Sequence, residues 1–280
     1  MTTKNLSDKE KITALFDLVS DIYENPATRF FSFCGDQVAN FLKAGPGQKV
    51  LDIAAGTGCS SIALAQTVQT NNGRVTCIDL SDGMLKKAQQ NIDRAGLTNV
   101  DYHIMDGQNL EFKSNYFDYV NCSYGIFFMP DMNAALQSWF RVLKPGGRVL
   151  FTSFTEKAFK PLTSLFLELL TEFGVSLPES KWQLLQNGND CKTLLEQNNF
   201  ESIEIIDIQL GYHLTNFNDW WEVLWSTGYR GLLEQLSDVD LAKFRIKHSQ
   251  QIEKLKTKDG IWMDVETHFS TAIRPPETKN

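Results

Sequence analysis

Between residues 45 and 154 the chain alternates short continuous apolar runs with amphipathic stretches. Residues 49–53, 74–79, 100–105, 117–123 and 148–153 read as strands, because each is a compact run rich in aliphatic and β-branched side chains bounded by polar turns. Residues 62–68 form a helix candidate. Met84, Ala88, Ile92 and Ala95 recur at helical spacing, with Ser81 placed as N-cap and Gly96 as the stop. Residues 133–143 are helical in pattern and end at Lys144-Pro-Gly-Gly147. Strands separated by helices require right-handed crossovers and a mostly parallel sheet, so the fold class is α/β.

Beyond residue 154 the pattern loosens. Residues 191–197 read as a helix leading into a strand over 201–208, residues 217–258 are helical, and 262–273 is strand-like again. Five of the six tryptophans lie beyond residue 180, and Trp220, Trp221 and Trp225 fall within one and a half helical turns. They serve either as helix–helix packing or as the wall of a pocket beside the sheet. No internal repeat or low-complexity segment is visible. At about 150 residues per domain, a chain of 280 makes one large domain or two small ones.

Composition narrows the class. With 42% hydrophobic and 22% charged residues the chain is globular and long enough for a full core and a cavity. Its 27 basic residues against 34 acidic ones leave −7, which argues against a general binder of nucleic acid or anionic membrane. Five cysteines, an odd number with no C-x2-C pair, point to free thiols in a reducing cytoplasm and to no metal site. Residues 1–10 are polar, so no secretory signal is expected, and no apolar run is long enough to span a membrane. The expected location is cytoplasmic.

The segment Val50-Leu-Asp-Ile-Ala-Ala-Gly-Thr-Gly58 places a glycine loop between the first strand and the first helix, where backbone N–H groups can approach a ligand closely. A dinucleotide fingerprint would want a third glycine where Ser61 stands. Asp52, at the strand end, would repel a pyrophosphate and attract an amino group. Asp79 lies 21 residues after Gly58, where an acidic side chain accepts from a ribose diol. Asp106-Gly107 follows the third strand and Asn121-Cys-Ser-Tyr124 the fourth. Strand ends are where open α/β sheets bind ligands.

These motifs, together with Asp79-Leu-Ser-Asp-Gly-Met-Leu85, Phe117-Asp118, Ser123-Tyr-Gly125 and Arg141-Val-Leu-Lys-Pro-Gly-Gly147, resemble the class I S-adenosylmethionine-dependent methyltransferases. Within them the chain is similar to the small-molecule branch that includes the ubiquinone/menaquinone-biosynthesis methyltransferases. The likeness runs through residues 45–154. Two departures stand out: Ala54 where the family often has glycine, and Ile126-Phe-Phe128 where the quinone enzymes carry Leu-Arg-Asn.

The resemblance implies a Rossmann-like seven-stranded, mostly parallel sheet with helices on both faces, N-terminal helices, and a helical cap inserted before the last strand. It implies one methyltransferase domain over 1–280, divided into an N-terminal cover (1–44), a cofactor core (45–154), completion of the sheet (155–216), a cap (217–258) and a last strand with tail (259–280). S-adenosyl-L-methionine is the implied cofactor. Asp52 and the backbone of Ala54, Gly56, Thr57 and Gly58 would hold its methionine part, and Asp79 its ribose. Leu80 and Met84 would pack on adenine, Asp106 and Gly107 hold its edge, and Ser123 sit beneath the sulfonium. Tyr124 and Tyr23 are the catalytic candidates, as aromatic faces toward positive charge. Asn25, Arg29, Phe127 and Trp221 are candidates for contact with a small-molecule acceptor.

None of His103, His213, His248 and His268 sits in a motif, and His248 reads as part of a solvated helix face beside Lys243, Arg245 and Lys247. Other readings stay in view. Against methylation of bases stands the absence of the Asn/Asp-Pro-Pro-Tyr/Phe run. A protein or RNA methyltransferase, or a binding module for the cofactor without catalysis, is a further alternative. A nicotinamide-dependent oxidoreductase would need a pyrophosphate beside Asp52.

Overall fold

The computed structural model describes residues 6–177 and 181–277, so residues 1–5 of the polar opening segment, 178–180 and the end of the tail lie outside the described residues. An N-terminal helix α1 (Asp8–Val19) starts at Ser7, whose side chain accepts from the Glu10 N–H while Glu10 answers at the Ser7 N–H. A second helix, α2 (Phe30–Leu42), buries Phe30, Cys34, Val38 and Leu42 against the sheet.

The core then alternates as the pattern predicts. Strand β1 (Lys49–Ile53) leads to α3 (Cys59–Val68), β2 (Arg74–Asp79) to α4 (Asp82–Arg94), and β3 (Val100–Ile104) is followed by β4 (Phe117–Ser123). Residues 50–53 of β1 are all buried, as a strand covered on both faces requires. Ser81 caps α4 by accepting from the Met84 N–H, and Gly96 adopts φ +72° just past its end, as the sequence predicts. Helix α5 (Met132–Val142) passes directly into β5 (Leu143–Phe154), so Lys144–Gly147 belongs to an extended strand instead of a free turn.

After β5 come α6 (Leu162–Glu172), α7 (Gly188–Gln197) and β6 (Glu201–Gln209). The segment predicted as one strand over 262–273 divides in two. Its first part, β8 (Ile261–Met263), pairs with β7 (Tyr212–Leu214) in a small antiparallel ribbon; β9 (Glu266–Ile273) enters the main sheet. The sheet order is β3-β2-β1-β4-β5-β9-β6, with β9 antiparallel to both of its neighbours. Between the two ribbon strands lie α8 (Phe217–Ser226), α9 (Arg230–Leu233) and α10 (Asp238–Glu253).

The reading of His248 as solvent-facing is corrected. Phe244, His248 and Ile252 recur at i, i+4 and i+8, so one face of α10 turns inward and His248 is fully buried. The Trp220 Nε1–H donates to His248 Nε2 at 2.9 Å, which fixes the ring as neutral, and burial pushes its pKa down to about 4. No described helix is long and apolar enough to cross a membrane.

Candidate functional site

The C-terminal ends of β1, β2, β3 and β4 open into one cleft, enclosing about 790 Å³ of space including its mouth. This is the ligand edge of an open α/β sheet. Of the residues singled out by sequence, Tyr23, Ala54, Gly56, Asp79, Leu80, Met84, Asp106, Gly107, Ser123 and Tyr124 line it. They come from separate parts of the chain and are brought together by the parallel register of the strands.

The glycine loop is built on backbone that side chains avoid. Gly56 and Gly58 adopt φ +54° and +91°, and the turn they make sends the Gly56 N–H to Asp79 Oδ2 at 2.9 Å. The other oxygen of Asp79 accepts from the Ser81 N–H at 2.9 Å. Burial pushes the Asp79 carboxyl up, while the N–H groups of Ser81, Gly56 and Leu80 pull it back down. A desolvated carboxylate fixed in this way still presents lone pairs to a diol. On the next strand end, Asp106 Oδ1 accepts from the Gln108 N–H at 3.0 Å, and Trp139 Nε1–H holds the Gly107 carbonyl at 2.7 Å.

Asp52 is a correction. Its carboxylate does not line the cleft: the side chain is buried and lies under the loop. One oxygen accepts from the Ser61 hydroxyl and the other from Asn121 Nδ2 at 2.7 Å. Burial pushes its pKa up to about 6 in spite of these donors. Asp52 therefore ties β1, α3 and β4 together beneath the loop, and a ligand amine does not meet it in this conformation. Thr57 and Gly58 also stay outside the cleft, Gly58 as the N-cap of α3 and Thr57 with its hydroxyl on Glu24.

Sequence reasoning passed over Glu24, although both its neighbours were chosen. Its Oε1 takes the Thr57 hydroxyl and, at 3.2 Å, the Cys59 thiol; its Oε2 takes Asn91 Nδ2 at 3.1 Å. One carboxylate thus clamps the glycine loop to α3 and α4. Lys9, Ile12, Thr13 and Phe16 of α1 were also missed, and these form the roof of the cleft. Their i, i+3, i+4, i+7 spacing was a readable signal for one helix face.

The acceptor candidates fare less well. Asn25 caps the short turn Pro26–Thr28 and reaches Ser226 Oγ at 3.0 Å, tethering α8. Arg29 lies over the Tyr212 ring at 3.5 Å and donates to the Pro26 carbonyl. Trp221 is buried between Phe217, Trp225 and Phe244, so the tryptophan cluster is packing within the cap. Phe127 turns into the core, and it is Phe128 that lines the cleft. None of these four reaches the cleft because each is drawn to a partner on another element.

Tyr23 and Tyr124 do flank it. Tyr23 stacks on Phe31 with centroids 4.6 Å apart, and no described residue gives its hydroxyl a hydrogen bond. Tyr124 stacks on Phe154 at 4.3 Å and its hydroxyl lies 2.8 Å from Thr267 Oγ1, behind the cleft wall. Burial pushes both phenols well above their ordinary range. The Tyr124 oxygen is thus engaged away from the cleft. No histidine lines the cleft among the described residues, and no cluster of potential metal ligands occurs among them.

The model described as the ubiE/COQ5 methyltransferase family matches residues 5–181. The chain is 30% identical over 214 residues to the ubiquinone/menaquinone biosynthesis C-methyltransferase of Haemophilus ducreyi, covering 71% of this chain and 81% of that protein. It is 32% identical to the aklanonic acid methyltransferase of a Streptomyces species, over 62% of this chain and 76% of that one. Among solved structures, phosphoethanolamine N-methyltransferase 2 of Haemonchus contortus, complexed with phosphomonomethylethanolamine and S-adenosylhomocysteine, superposes with a TM-score of 0.59. That match covers 96% of this chain and 60% of the other at 18% identity, and it shows a shared fold.

Proposed function

The chain belongs to the ubiE/COQ5 methyltransferase family and is an S-adenosylmethionine-dependent methyltransferase; from that premise we propose that its acceptor is a small aromatic or lipophilic molecule held against Phe16, Tyr23 and Phe128. When bound, S-adenosylmethionine would supply a methyl group for in-line transfer from its sulfonium to the acceptor, with S-adenosylhomocysteine as the leaving group, so alignment is the larger share of what the protein must provide.

The cleft fits that cofactor. Asp79 and Asp106 put carboxylates where hydroxyls and an exocyclic amine find acceptors, and where a pyrophosphate would be repelled. Gln108 Oε1, on the same wall, is buried without a partner, an acceptor left for a donor from the ligand. In this reading Asp79 holds the ribose, Leu80 and Met84 pack on adenine, and Asp106 and Gly107 hold its edge. Ser123 and the backbone from Ala54 to Gly56 face the methionine end.

The aromatic half of the cleft carries the acceptor assignment. Tyr23, Phe128 and Phe16 enclose it, Phe16 sitting edge-on to Phe128 at 5.1 Å and to Tyr23 at 6.1 Å. Such faces suit a planar or lipophilic molecule and stabilise nearby positive charge. With both tyrosine hydroxyls pushed up, neither serves as a base near neutral pH, so the acceptor brings its own acidity, as a quinol, phenol or enolisable carbon does. The named relatives, one of ubiquinone/menaquinone biosynthesis and one of aklanonic acid, support this class.

The free state of all five cysteines supports a cytoplasmic setting. Insertion of β9 between β5 and β6 supports one domain over 1–280, since the C-terminal part completes the first sheet. The acidic balance, −7, speaks against a nucleic-acid partner. Labelled S-adenosylmethionine incubated with quinols, phenols and small carboxylic acids is expected to give methylated product from the aromatic group. Transfer confined to peptides or RNA would sink the proposal.

A further inference from the structure

Helix α1 crosses the cleft as its roof and is fastened at both ends. Near its C-terminal end, Asp17 Oδ1 accepts from the Ser81 hydroxyl at 2.6 Å and from the Gly83 N–H at 3.0 Å, at the start of α4. A carboxylate there is favoured by the partial positive charge of a helix N-terminus. Near its N-terminal end, the Lys9 ammonium is ion-paired with Asp106 Oδ2. The two fastenings differ in kind. Asp17 is held by directed donors on a rigid helix, whereas Lys9 and Asp106 are both partly exposed and joined by one flexible side chain. Between them Ile12, Thr13 and Phe16 close over Asp79, Leu80 and Met84.

We propose that Lys9 is a latch on the cofactor site. It occupies Oδ2 of the carboxylate that a purine amine would use, and the cofactor competes with it to seat its adenine. This inference rests on the reading of Asp106 as the adenine edge. Asp106 Oδ1 is committed to the Gln108 N–H, which leaves Oδ2 as the contested atom. On release of Lys9 the first turns of α1 lift while Asp17 remains the hinge. The helix that Lys9 opens also carries Phe16, a wall of the acceptor half, so cofactor seating and acceptor access become linked through one element.

The sign of the effect separates a latch from an ordinary binding residue. A partly exposed ion pair costs little to break, so removing it should tighten binding of S-adenosylhomocysteine by about two- to fivefold. Isothermal titration of the whole protein with S-adenosylhomocysteine, comparing wild type with K9M and K9Q, reads this directly. Both variants should bind tighter. Raising sodium chloride should tighten binding to wild type by screening the latch and leave K9M unchanged. Trypsin cleavage at Lys11, without ligand, should be faster in K9M than in wild type. Lys9 being near the helix start and partly exposed, neither substitution threatens the fold. Weaker or unchanged binding in K9M and K9Q overturns the latch. D106N made in the K9M background, where no latch is left to release, tests the reading beneath it: strong loss of affinity relative to K9M upholds Asp106 as the adenine edge, and affinity equal to that of K9M overturns that reading and the latch with it.

Discussion

Ala54 and Gly125 meet where the turn after β1 passes the turn after β4. Ala54 adopts φ +52°, a left-handed conformation that costs an alanine about 1–2 kcal/mol. Its methyl also decides what residue 125 can be, because a Cβ on Gly125 would lie 2.5 Å from Ala54 Cβ and 2.9 Å from Cys122 Sγ. Ala54→Gly should therefore be neutral or stabilising by up to about 1 kcal/mol, and Gly125→Ala destabilising by about 1–3 kcal/mol. In the double variant part of the loss should return, since one of the two obstructing groups is gone. Urea unfolding of the four proteins checks this; strictly additive values would contradict the contact. Asp52 invites a second test. With its pKa raised to about 6, it contributes stability that is present below the ordinary value of 3.8 and lost as pH rises through about 6. A carboxyl carbon resonance for Asp52 titrating near 6 is expected, and one titrating near 4 would contradict its burial. The sequence located Asp52 at the right strand end but could not tell which way its side chain turned. That depends on Ser61 and Asn121, which only folding brings alongside.

Elements differ in how much of them a sequence discloses. Strands β1 to β4 and helix α4 were legible because local signals, apolar runs and a serine cap, coincide with their tertiary surroundings. The cap helices were not. Their charged and aromatic residues look solvent-facing or pocket-lining until the partners are known, and His248 shows why. It sits among charged residues in sequence but faces Trp220 across the cap. Its pKa, pushed by burial from 6.5 down to about 4, makes it stabilising when neutral. That stability is present above pH 6.5 and is lost as pH falls through about 4, with a difference of roughly 3 kcal/mol. Asp52 acts with the opposite sign in much of the same window, so wild type alone would blur the two. His248→Phe should cost about 1–3 kcal/mol at pH 7, because Trp220 Nε1–H loses its acceptor. The same variant should lose less stability than wild type between pH 6.5 and 4. Chemical denaturation followed by tryptophan fluorescence measures both; parallel pH curves would show that His248 is not held neutral.

At the scale of the whole molecule, the chain returns to its first sheet after a long excursion. The N-terminal helix roofs the cleft, β9 slots between β5 and β6, and the cap between β7 and β8 reaches the mouth near Gly228, 3.9 Å from Phe128 for an added Cβ. Its tryptophans stay inside the cap. The cofactor half of the cleft comes from strand ends and was readable as motifs. The aromatic part proposed for the acceptor comes from Phe16 of α1, from Tyr23 beyond it and from Phe128 after β4, and motif reading could not assemble it. The proposed placement of the cofactor turns on Asp79, which is fixed by the Gly56 and Ser81 N–H groups and lines the cleft. Calorimetric titration of wild type and Asp79→Ala with S-adenosylhomocysteine is the most direct test of that arrangement. Wild type should bind, and Asp79→Ala should lose at least about tenfold in affinity, the worth of one or two hydrogen bonds to a charged acceptor. Equal affinity in the two proteins would contradict the placement of the cofactor in this cleft.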